Sequence, residues 1–388
     1  MVTSGTGMQL DDTHLQVRDM ARGFANDAIR PIAEALDAEE RFPADLYARM
    51  GELGLFGIAV PERMGGPGLD TLAYALVMEE LSRGSASVAD QCGLVELIAT
   101  LLVRHGTDAQ RDRWLPGVMA GRIRVAYCIT EAEAGTDVSA IRTEAVRDGD
   151  GWVLDGSKIW IHNAPVADLG FVLARTDRAA GRRGMSIFAV DLHAPGVERG
   201  PKERKMGQRA SPVGALAFTG VRLPADALLG PEGRGFHMMM SVLDKGRVGI
   251  AALAVGIGQA GLEAAVDHAG QRRQFDRTIG EFQGVQWMLA DMAVDVEAAR
   301  LLTHAAAARI DRGEDATRAC SMAKRFASDM AVARSADAVQ VFGGSGCIRG
   351  FEVERLYRDA KVTQIYEGTN QIQRVIIARD LLKNGAAA

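Results

Sequence analysis

One glutamate near the C-terminus stands in a sequence context that suits proton abstraction from carbon. Glu367 follows an apolar run and directly precedes Gly368, so it is expected where the chain turns. A carboxylate held at such a turn, in a mostly apolar pocket, would have a raised pKa, as a general base for a weak carbon acid requires. The ordinary alternative is a glutamate that caps a helix.

A second group of polar residues lies around the end of a predicted strand. Residues 127–137 (YCITEAEAGTD) read as a strand that leads into a small polar turn, and residues 158–163 (KIWIHN) follow downstream. Such a turn exposes backbone N–H groups and hydroxyls to a ligand. The ordinary alternative is a strand-end turn that binds nothing.

Two further segments are suited to a ligand with phosphates and an aromatic base. Residues 272–275 (RRQF) offer guanidinium groups and a ring, and residues 282–283 (FQ) follow them. Residues 340–346 (QVFGGSG) contain adjacent glycines, which permit close approach of the backbone to a ligand. A solvated basic patch is the alternative for the arginines.

The elements that must position these groups occur in three blocks. Residues 11 to about 120 carry apolar side chains at helical spacing, and Asp70 with Thr71 can cap one helix. Short aliphatic and aromatic runs then predict antiparallel strands, and long helical patterns return after residue 231. Segregated blocks predict an α+β fold. The predicted domains are residues 1–122, 123–231 and 232–388.

Composition limits the class of protein. The chain of 388 residues is 47% hydrophobic and 24% charged with a net charge of −5, which is ordinary for a globular protein. No basic stripe is large enough to neutralise many phosphates, so nucleic acid is not an expected partner. The four cysteines are far apart and form no CxxC pair. We therefore expect neither a metal site nor a disulfide framework.

The same features predict a cytoplasmic protein. Residues 1–10 lack a basic start followed by an apolar run, so no secretory signal is expected. The longest apolar stretch, residues 248–262, is too short and too rich in Gly for a membrane span, and a buried helix is the better interpretation. It contains a GxGxxG match at residues 256–261. Because that match lies within a helical pattern, close helix packing is favoured over a dinucleotide fingerprint.

Together these segments resemble the acyl-CoA dehydrogenase family, and most of all its short-chain members, from about residue 11 to 383. The most specific parts are TEAEAGTD, KIWIHN, RRQF, QVFGG and QIYEGTNQIQR, at residues 130–137, 158–163, 272–275, 340–344 and 364–374. The resemblance implies an N-terminal helical domain, a central β domain and a C-terminal four-helix bundle. It also implies FAD as the cofactor, a homotetramer, and an electron-transferring flavoprotein as partner.

The resemblance also implies a reaction and its residues. Glu367 would abstract the α-proton of an acyl thioester while flavin N5 takes the β-hydrogen as hydride, which gives a trans-2-enoyl thioester. The backbone N–H of Glu367 would polarise the thioester carbonyl. The implied contacts to the thioester ligand are Thr136, Asp244, Arg247 and Gly368.

The implied FAD contacts fall in several stretches of the chain. Of these, Arg272, Phe275 and Gln283 would hold the FAD of a neighbouring subunit. The full set is Tyr127, Ile129, Thr130, Thr136, Trp160, His162, Arg272, Gln274, Phe275, Gln283, Gln340, Gly343, Gly344, Thr369 and Gln371.

The chain departs from the family pattern at positions that matter for chemistry. Some relatives place the base just before the arginine of the DKGR stretch, but this chain has Gly246 there, so Glu367 is the only base that the pattern offers. His162 stands where the family usually has a Thr or Ser that hydrogen-bonds flavin N5. A ring nitrogen could donate there, or the ring could point away. Glu96 interrupts an apolar helix near the family's acyl pocket, either as a capped or solvated residue or as the partner of a polar acyl tail.

These features predict the α,β-dehydrogenation of a short or branched acyl-CoA. An acyl group on a carrier protein is an alternative donor, which a basic docking face near the pantetheine entrance would indicate. A flavin oxidase or monooxygenase on the same fold is a second alternative. Such enzymes commonly lack a glutamate at the position of Glu367, in the YEG sequence of residues 366–368, so its presence counts against this class. His162 leaves the class open. Glu367 together with the flavin segments argues against a non-catalytic scaffold.

Overall fold

The computed structural model describes residues 10–385. The expectation that no secretory signal is present falls almost wholly on residues 1–9, outside the described range, as do the outer ends of the first and third predicted domains. Within the described range a helical block, a β block and a second helical block follow one another. The α+β class predicted from the sequence is confirmed.

The N-terminal block is helical, and a π-helical segment (Ala25–Ile29) joins its first two α-helices. The helices are α1 (Asp12–Phe24), α2 (Arg30–Glu39), α3 (Ala44–Glu52), α4 (Thr71–Gly84), α5 (Ala86–His105) and α6 (Asp108–Met119). Asp70 caps α4 as predicted, because its Oδ1 accepts a hydrogen bond of 2.8 Å from the N–H of Ala73. Helices α4 and α5 are buried on nearly every side, as expected for helices that are apolar all round.

The β block is an eight-stranded sheet with the spatial order β6-β7-β3-β2-β4-β5-β8, and β1 pairs with β4. Its strands are β1 (Val125–Cys128), β2 (Glu144–Asp148), β3 (Gly151–His162), β4 (Leu169–Arg175), β5 (Met185–Asp191), β6 (Val197–Arg199), β7 (Val213–Leu223) and β8 (Leu228–Leu229). Most pairs are antiparallel, as predicted. The pair β1–β4 is parallel, and β2 meets β4 in parallel at one position. The long connection through β2 and β3 makes the β1–β4 pairing possible.

The C-terminal block is a bundle in which α8, α9 and α10 pack against one another and α12 packs against α10. A short hairpin of β9 (Arg273–Gln274) and β10 (Arg277–Thr278) separates α8 from α9. The helices are α7 (Gly235–Ser241), α8 (Leu243–Gln271), α9 (Gln283–Asp311), α10 (Thr317–Phe342), α11 (Glu352–Lys361) and α12 (Asn370–Asn384).

The GxGxxG match lies in the middle of α8 and serves helix packing. A Cβ on Gly256 would lie 2.4 Å from the carbonyl oxygen of Glu79 in α4, and one on Gly258 would lie 2.7 Å from Sδ of Met330 in α10. A side chain at residue 256 would collide with the backbone of α4, whereas one at residue 258 would require the Met330 side chain to move. The interpretation as a packing motif is therefore confirmed.

Two helical segments are long and apolar enough to cross a membrane, Ala86–His105 and Gly235–Gln271. In each, 83% of the most apolar window is buried inside the chain. They are core helices of the two helical blocks, as the sequence predicted for residues 248–262.

Candidate active site

The loop that carries Glu367 lies between α11 and α12 and has an uncommon backbone conformation. Glu367 has φ 53° and Gly368 has φ 89°, so two successive residues are left-handed. The buried Lys324 donates from Nζ to the Gly368 carbonyl oxygen at 2.8 Å, and Gln373 donates from Nε2 to the same oxygen at 2.9 Å. A left-handed glutamate costs free energy, and these contacts hold the loop in place.

The carboxylate of Glu367 has a free oxygen. The residue as a whole is half-buried, but its Oε2 atom is buried and has no hydrogen-bond partner in the described part of the chain. Burial raises the pKa of Glu367 to about 7; Arg247 opposes this rise, Asp90 adds to it and Lys324 opposes it. A carboxyl group with a pKa near neutrality is suited to act as a general base.

Gly246, in the first turn of α8, faces this carboxylate. A Cβ at this position would lie 2.7 Å from Oε2 of Glu367 and 3.0 Å from Cδ1 of Leu97. A side chain on residue 246 and the carboxylate of Glu367 therefore cannot share the space. Residues 246 and 367 thus converge on one point, and in this chain the carboxylate of Glu367 occupies it.

Arg247 brings a positive charge beside the carboxylate. Its Nη1 donates to Oδ1 of Asp244 at 2.6 Å, and the Thr317 hydroxyl donates to Oδ2 of Asp244 at 2.8 Å. The Nε atom of Arg247 is buried and has no partner among residues 10–385. Two of the predicted substrate residues, Asp244 and Arg247, are therefore joined to each other beside Glu367, with one N–H still free.

The strand-end turn after β1 is held by a buried ion pair. Lys158 Nζ lies 2.8 Å from Oε1 of Glu131 and donates to the carbonyl oxygen of Ile129 at 2.9 Å. The Tyr127 hydroxyl donates to the carbonyl oxygen of Met239 at 2.9 Å, which ties the sheet to α7. These contacts fix the turn against the second helical block.

A β-bulge turns Trp160 outwards from β3. The register with β7 shifts between Lys158 and Ile161, and Trp160 has φ 52°. Its side chain is 64% exposed, which is unusual for Trp. Thr136 of the preceding turn is also exposed. A bare indole on a bulge is suited to stack on a flat ring system.

Protein atoms engage both ring nitrogens of His162. Its Nε2 lies 2.7 Å from Oγ of Ser211 and 2.9 Å from Nε2 of Gln91, and its Nδ1 lies 3.4 Å from Oδ2 of Asp90. Burial lowers the pKa of His162, and Asp90 opposes this effect. Of the two orientations left open by the sequence, this network favours a ring bonded within the chain.

Ser211, His162 and Asp90 have the composition of a catalytic triad, but the serine is buried. Ser211 is 1% exposed, and its hydroxyl also donates to Oδ2 of Asp90 at 2.9 Å. A nucleophilic serine must reach the substrate, which this burial prevents. The three residues therefore form a buried polar network and not an acyl-transfer site.

The other predicted cofactor residues lie at the far end of the bundle. His268 stacks on Phe342 at a centroid distance of 4.0 Å, which brings the ends of α8 and α10 together. Residues 272–283 and 340–344 are consequently neighbours. Arg247 in α8 and Arg272 directly after it are roughly 25 residues apart, which amounts to about 37 Å along a helix.

This far end is open and exposes unusual groups. Phe275 has φ 51° and is 87% exposed. A Cβ on Gly343 or on Gly344 would meet nothing within 4 Å. The surface thus offers a free ring and bare backbone to a ligand or to another chain.

The structure divides the predicted site residues between two places. Around the Glu367 loop and the start of α8 lie Asp244, Arg247, Gly368, Thr369 and Gln371, while Tyr127, Ile129, Thr130, Thr136, Trp160 and His162 belong to the strand-end turn and β3, which Tyr127 ties to α7. At the far end lie Arg272, Gln274, Phe275, Gln283, Gln340, Gly343 and Gly344.

Three models of one known family together match most of the chain between residues 11 and 382. They are the acyl-CoA dehydrogenase N-terminal domain over residues 11–122, the middle domain over residues 126–221 and the C-terminal domain over residues 233–382. The chain belongs to the acyl-CoA dehydrogenase family. Its members are oxidoreductases that act on the CH–CH bond of acyl-CoA, so the predicted enzyme class is confirmed.

Individual relatives agree with the family assignment. An acyl-CoA dehydrogenase of Bacillus subtilis (strain 168) is 44% identical over 97% of this chain and 99% of that protein. The mitochondrial short-chain specific acyl-CoA dehydrogenase of Bos taurus is 43% identical over 97% of this chain and 92% of that protein. The structure of butyryl-CoA dehydrogenase from Megasphaera elsdenii has a TM-score of 0.94 at 38% identity, covering 97% of this chain and 99% of that one.

This acyl-CoA dehydrogenase has residues that fit the flavin implied by its family. The indole of Trp160 stands free on its bulge, and the turn before it is held rigid by Glu131 and Lys158. A flat ring system placed there would cover an apolar surface that is otherwise left in water.

Several residues of this acyl-CoA dehydrogenase site were not found from the sequence. Lys324, which holds the Glu367 loop, lies on the buried, mostly apolar face of α10. A charged residue on an apolar helix face is visible in the sequence and indicates a buried partner. Asp90, Gln91 and Ser211 gave no such signal, because their link to His162 depends on the fold.

Proposed function

We propose that this acyl-CoA dehydrogenase converts a short or branched acyl-CoA into a trans-2-enoyl-CoA, with Glu367 as the base for the α-proton. The observation that carries the proposal is the buried Oε2 of Glu367, which has no partner in the described chain. A buried carboxylate oxygen without a hydrogen-bond partner is costly. The acidic C–H of a bound thioester would supply the missing contact.

Groups that can stabilise the negative charge of the developing enolate lie close to Glu367. The backbone N–H of Glu367 makes no hydrogen bond to any residue that the structure describes. We assign it to the thioester carbonyl oxygen, where it would stabilise the enolate. Arg247 adds positive charge at the same place. The proposed thioester contacts are Thr136, Asp244, Arg247 and Gly368.

We assign FAD to the surface formed by the strand-end turn and the bulge of β3. When bound there, FAD supplies N5 as the acceptor of the β-hydrogen. Trp160 would lie along the ring, and Glu131 with Lys158 would keep the turn rigid. The proposed contacts at this end are Tyr127, Ile129, Thr130, Thr136, Trp160, Thr369 and Gln371, and His162 would act on the flavin through the network that binds its ring within the chain.

The far end of the bundle is proposed to hold the FAD of a neighbouring subunit. The length of α8 between Arg247 and Arg272, about 37 Å, supports this assignment, because it places the two ends too far apart for one cofactor in one chain. The exposed Phe275 and the open Gly343 and Gly344 would meet that FAD, together with Arg272, Gln274, Gln283 and Gln340. A homotetramer is the assembly we propose.

The remaining assignments follow the family. We propose an electron-transferring flavoprotein as the acceptor of electrons from reduced FAD, and the cytoplasm as the location. The domain limits at residues 1–122, 123–231 and 232–388 stay a prediction.

Anaerobic titration of the purified enzyme with butyryl-CoA and isobutyryl-CoA tests the proposal. We expect the flavin absorbance to bleach and an enoyl product to form. Glu367→Gln should keep FAD and bind the ligand, but lose at least about a hundredfold in rate. Glu198→Gln, on the exposed strand β6, is the matched control and should behave as wild type.

The opposite results would be equally clear. A near-normal rate in Glu367→Gln would remove that residue as the base. A yellow protein that no acyl-CoA bleaches would keep the fold and the flavin, and would move a carrier-protein donor or an oxidase to first place.

A further inference from the structure

A buried ion pair lies where helices α5 and α8 meet. Glu96 of α5 is 1% exposed and Lys245 of α8 is 7% exposed. Oε1 of Glu96 lies 2.5 Å from Nζ of Lys245, which also donates to the Thr100 hydroxyl at 3.3 Å. The buried neighbours on both helices are mostly apolar, so the pair calls for an explanation.

The hydrogen bonds of this pair are incomplete. Oε1 of Glu96 accepts from Lys245 and from the N–H of Ala59 at 3.2 Å. Oε2 of Glu96 is buried, and no residue between 10 and 385 donates to it. Buried acceptors are normally satisfied, so one that is free points to a donor outside the chain.

Stability does not account for the pair. Replacing a buried ion pair by apolar residues of similar volume is often neutral or stabilising. The surrounding apolar side chains on α5 and α8 show that such residues pack well here. A structural role would also be better served by a fully bonded carboxylate.

The pair adjoins the proposed base. Leu97 and Gly246 are the next residues along the two helices. The position of a Cβ on Gly246 lies 3.0 Å from Leu97 and 2.7 Å from Oε2 of Glu367. Glu96 and Lys245 are therefore each adjacent in sequence to a residue that lies beside the Glu367 carboxylate.

Tyr74 of α4 lies beside the same contact. Its ring faces Nζ of Lys245 at 5.8 Å, and its hydroxyl lies 2.0 Å from the position of a Cβ on Gly249. The hydroxyl forms no hydrogen bond within the described residues. Burial raises the pKa of Tyr74 most, and the charges of Glu96 and Glu367 add to the rise. The Tyr74 hydroxyl is thus a buried polar group close to both carboxylates.

We propose that Glu96 and Tyr74 recognise an uncharged hydrogen-bond donor, a hydroxyl or an amide N–H, on the acyl tail of the substrate. The inference rests on the proposed function, because it takes the acyl chain to run from Glu367 towards the contact of α5 with α8. The donor meets Oε2 of Glu96. The Tyr74 hydroxyl can donate to the same group or accept from it.

The charge balance of this subsite selects against ionic tails. Glu96 and Lys245 neutralise each other. A tail carboxylate would face the free oxygen of Glu96 and be repelled, and a tail ammonium group would lie near Lys245. An uncharged donor satisfies the free oxygen without adding a charge.

The test compares thioesters of equal chain length: pentanoyl-CoA, its ω-hydroxy derivative and glutaryl-CoA. Binding is followed through the flavin spectrum in the Glu367→Gln variant, and bleaching is followed with Glu367 intact. We expect the ω-hydroxy compound to bind about tenfold more tightly than pentanoyl-CoA. The double variant Glu96→Leu/Lys245→Met should reverse this order, because an apolar surface replaces the acceptor.

Two further variants keep the test decisive. Arg22→Met/Glu80→Leu removes another ion pair that involves a buried glutamate, and should leave the order of binding unchanged. Glu96→Gln keeps the shape and places an amide N–H in the subsite. It should lose the preference for the hydroxyl and bind glutaryl-CoA more tightly, even if the double variant does not fold.

The subsite is overturned by equal binding of the three thioesters, by a wild-type preference for glutaryl-CoA, or by an unchanged order in the Glu96 variants. Failure of the proposed function looks different. In that case no thioester bleaches the flavin, whatever its tail, while the order of binding in Glu367→Gln is still measurable.

Discussion

A Cβ on Gly246 would lie 2.7 Å from the Oε2 atom of Glu367. The first turn of α8 and the loop before α12 therefore share a space that holds one acidic oxygen and no further side chain. The absence of a side chain at residue 246 is as much a part of this site as the carboxylate itself.

Gly246→Ala should slow flavin reduction by acyl-CoA at least about tenfold, because the new methyl group displaces the carboxylate from its position. Anaerobic stopped-flow measurement of the bleaching rate checks this. Gly270→Ala in the same helix is the control, since a Cβ there meets nothing within 4 Å, and Ala favours helix by about 1 kcal/mol. A wild-type rate in Gly246→Ala would contradict the proposed position of the base.

The rate of flavin reduction should rise with pH and level off above about pH 7. Only the ionised carboxylate can accept the α-proton, and burial raises the pKa of Glu367 to about 7. Because the charge of Asp90 adds to the rise in the pKa of Glu367, Asp90→Asn should move the increase in rate to lower pH. Asp150→Asn, exposed in a turn, should not. If the increase in rate occurs at the same pH in both variants, the pH dependence does not report the ionisation of Glu367.

His162→Thr should bind FAD normally and change its reduction potential, because the change removes an ionisable ring and frees Asp90 and Ser211 from it. Spectroelectrochemical titration measures the potential. His193→Thr is a matched control, since the His193 side chain is 61% exposed in the turn after β5. An unchanged potential in His162→Thr would show that the polar network does not act on the flavin.

Phe275→Ala should lower the fraction of purified protein that carries FAD, by about twofold or more, and leave the thermal unfolding of the apoprotein unchanged. An exposed side chain contributes little to folding but can contribute to a ligand or to a partner. Leu382→Ala is the control, because Leu382 is 89% exposed. Equal flavin content in both variants would exclude Phe275 from the cofactor site.

Local patterns in the sequence predicted the order of the three blocks, because helical and strand patterns occur in separate stretches of the chain. The turn at Glu367 was also a local signal, whereas the importance of Gly246 followed from the resemblance to the family, and the roles of both residues stay predictions. The helix cap at Asp70 was predicted for the same reason, since a capping residue and its helix are adjacent in the chain.

Long-range partners were not predictable in the same way. Lys324 meets the carbonyl oxygen of Gly368 across 44 residues, and His162 meets Gln91 across 71. Neither residue type indicates in the sequence which distant residue it will contact. The parallel pairing of β1 with β4 is similar, because a strand pattern shows which residues are buried and not which neighbour they will have.

Helix α8 has a consequence for how the enzyme is handled. It carries Arg247 at one end and leads into Arg272 at the other. Under the proposed arrangement, a single subunit contributes to two different FAD sites and contains no complete FAD site. Cofactor loss and disassembly then become a single equilibrium governed by mass action. Dilution strips the flavin, and added flavin draws the subunits back together.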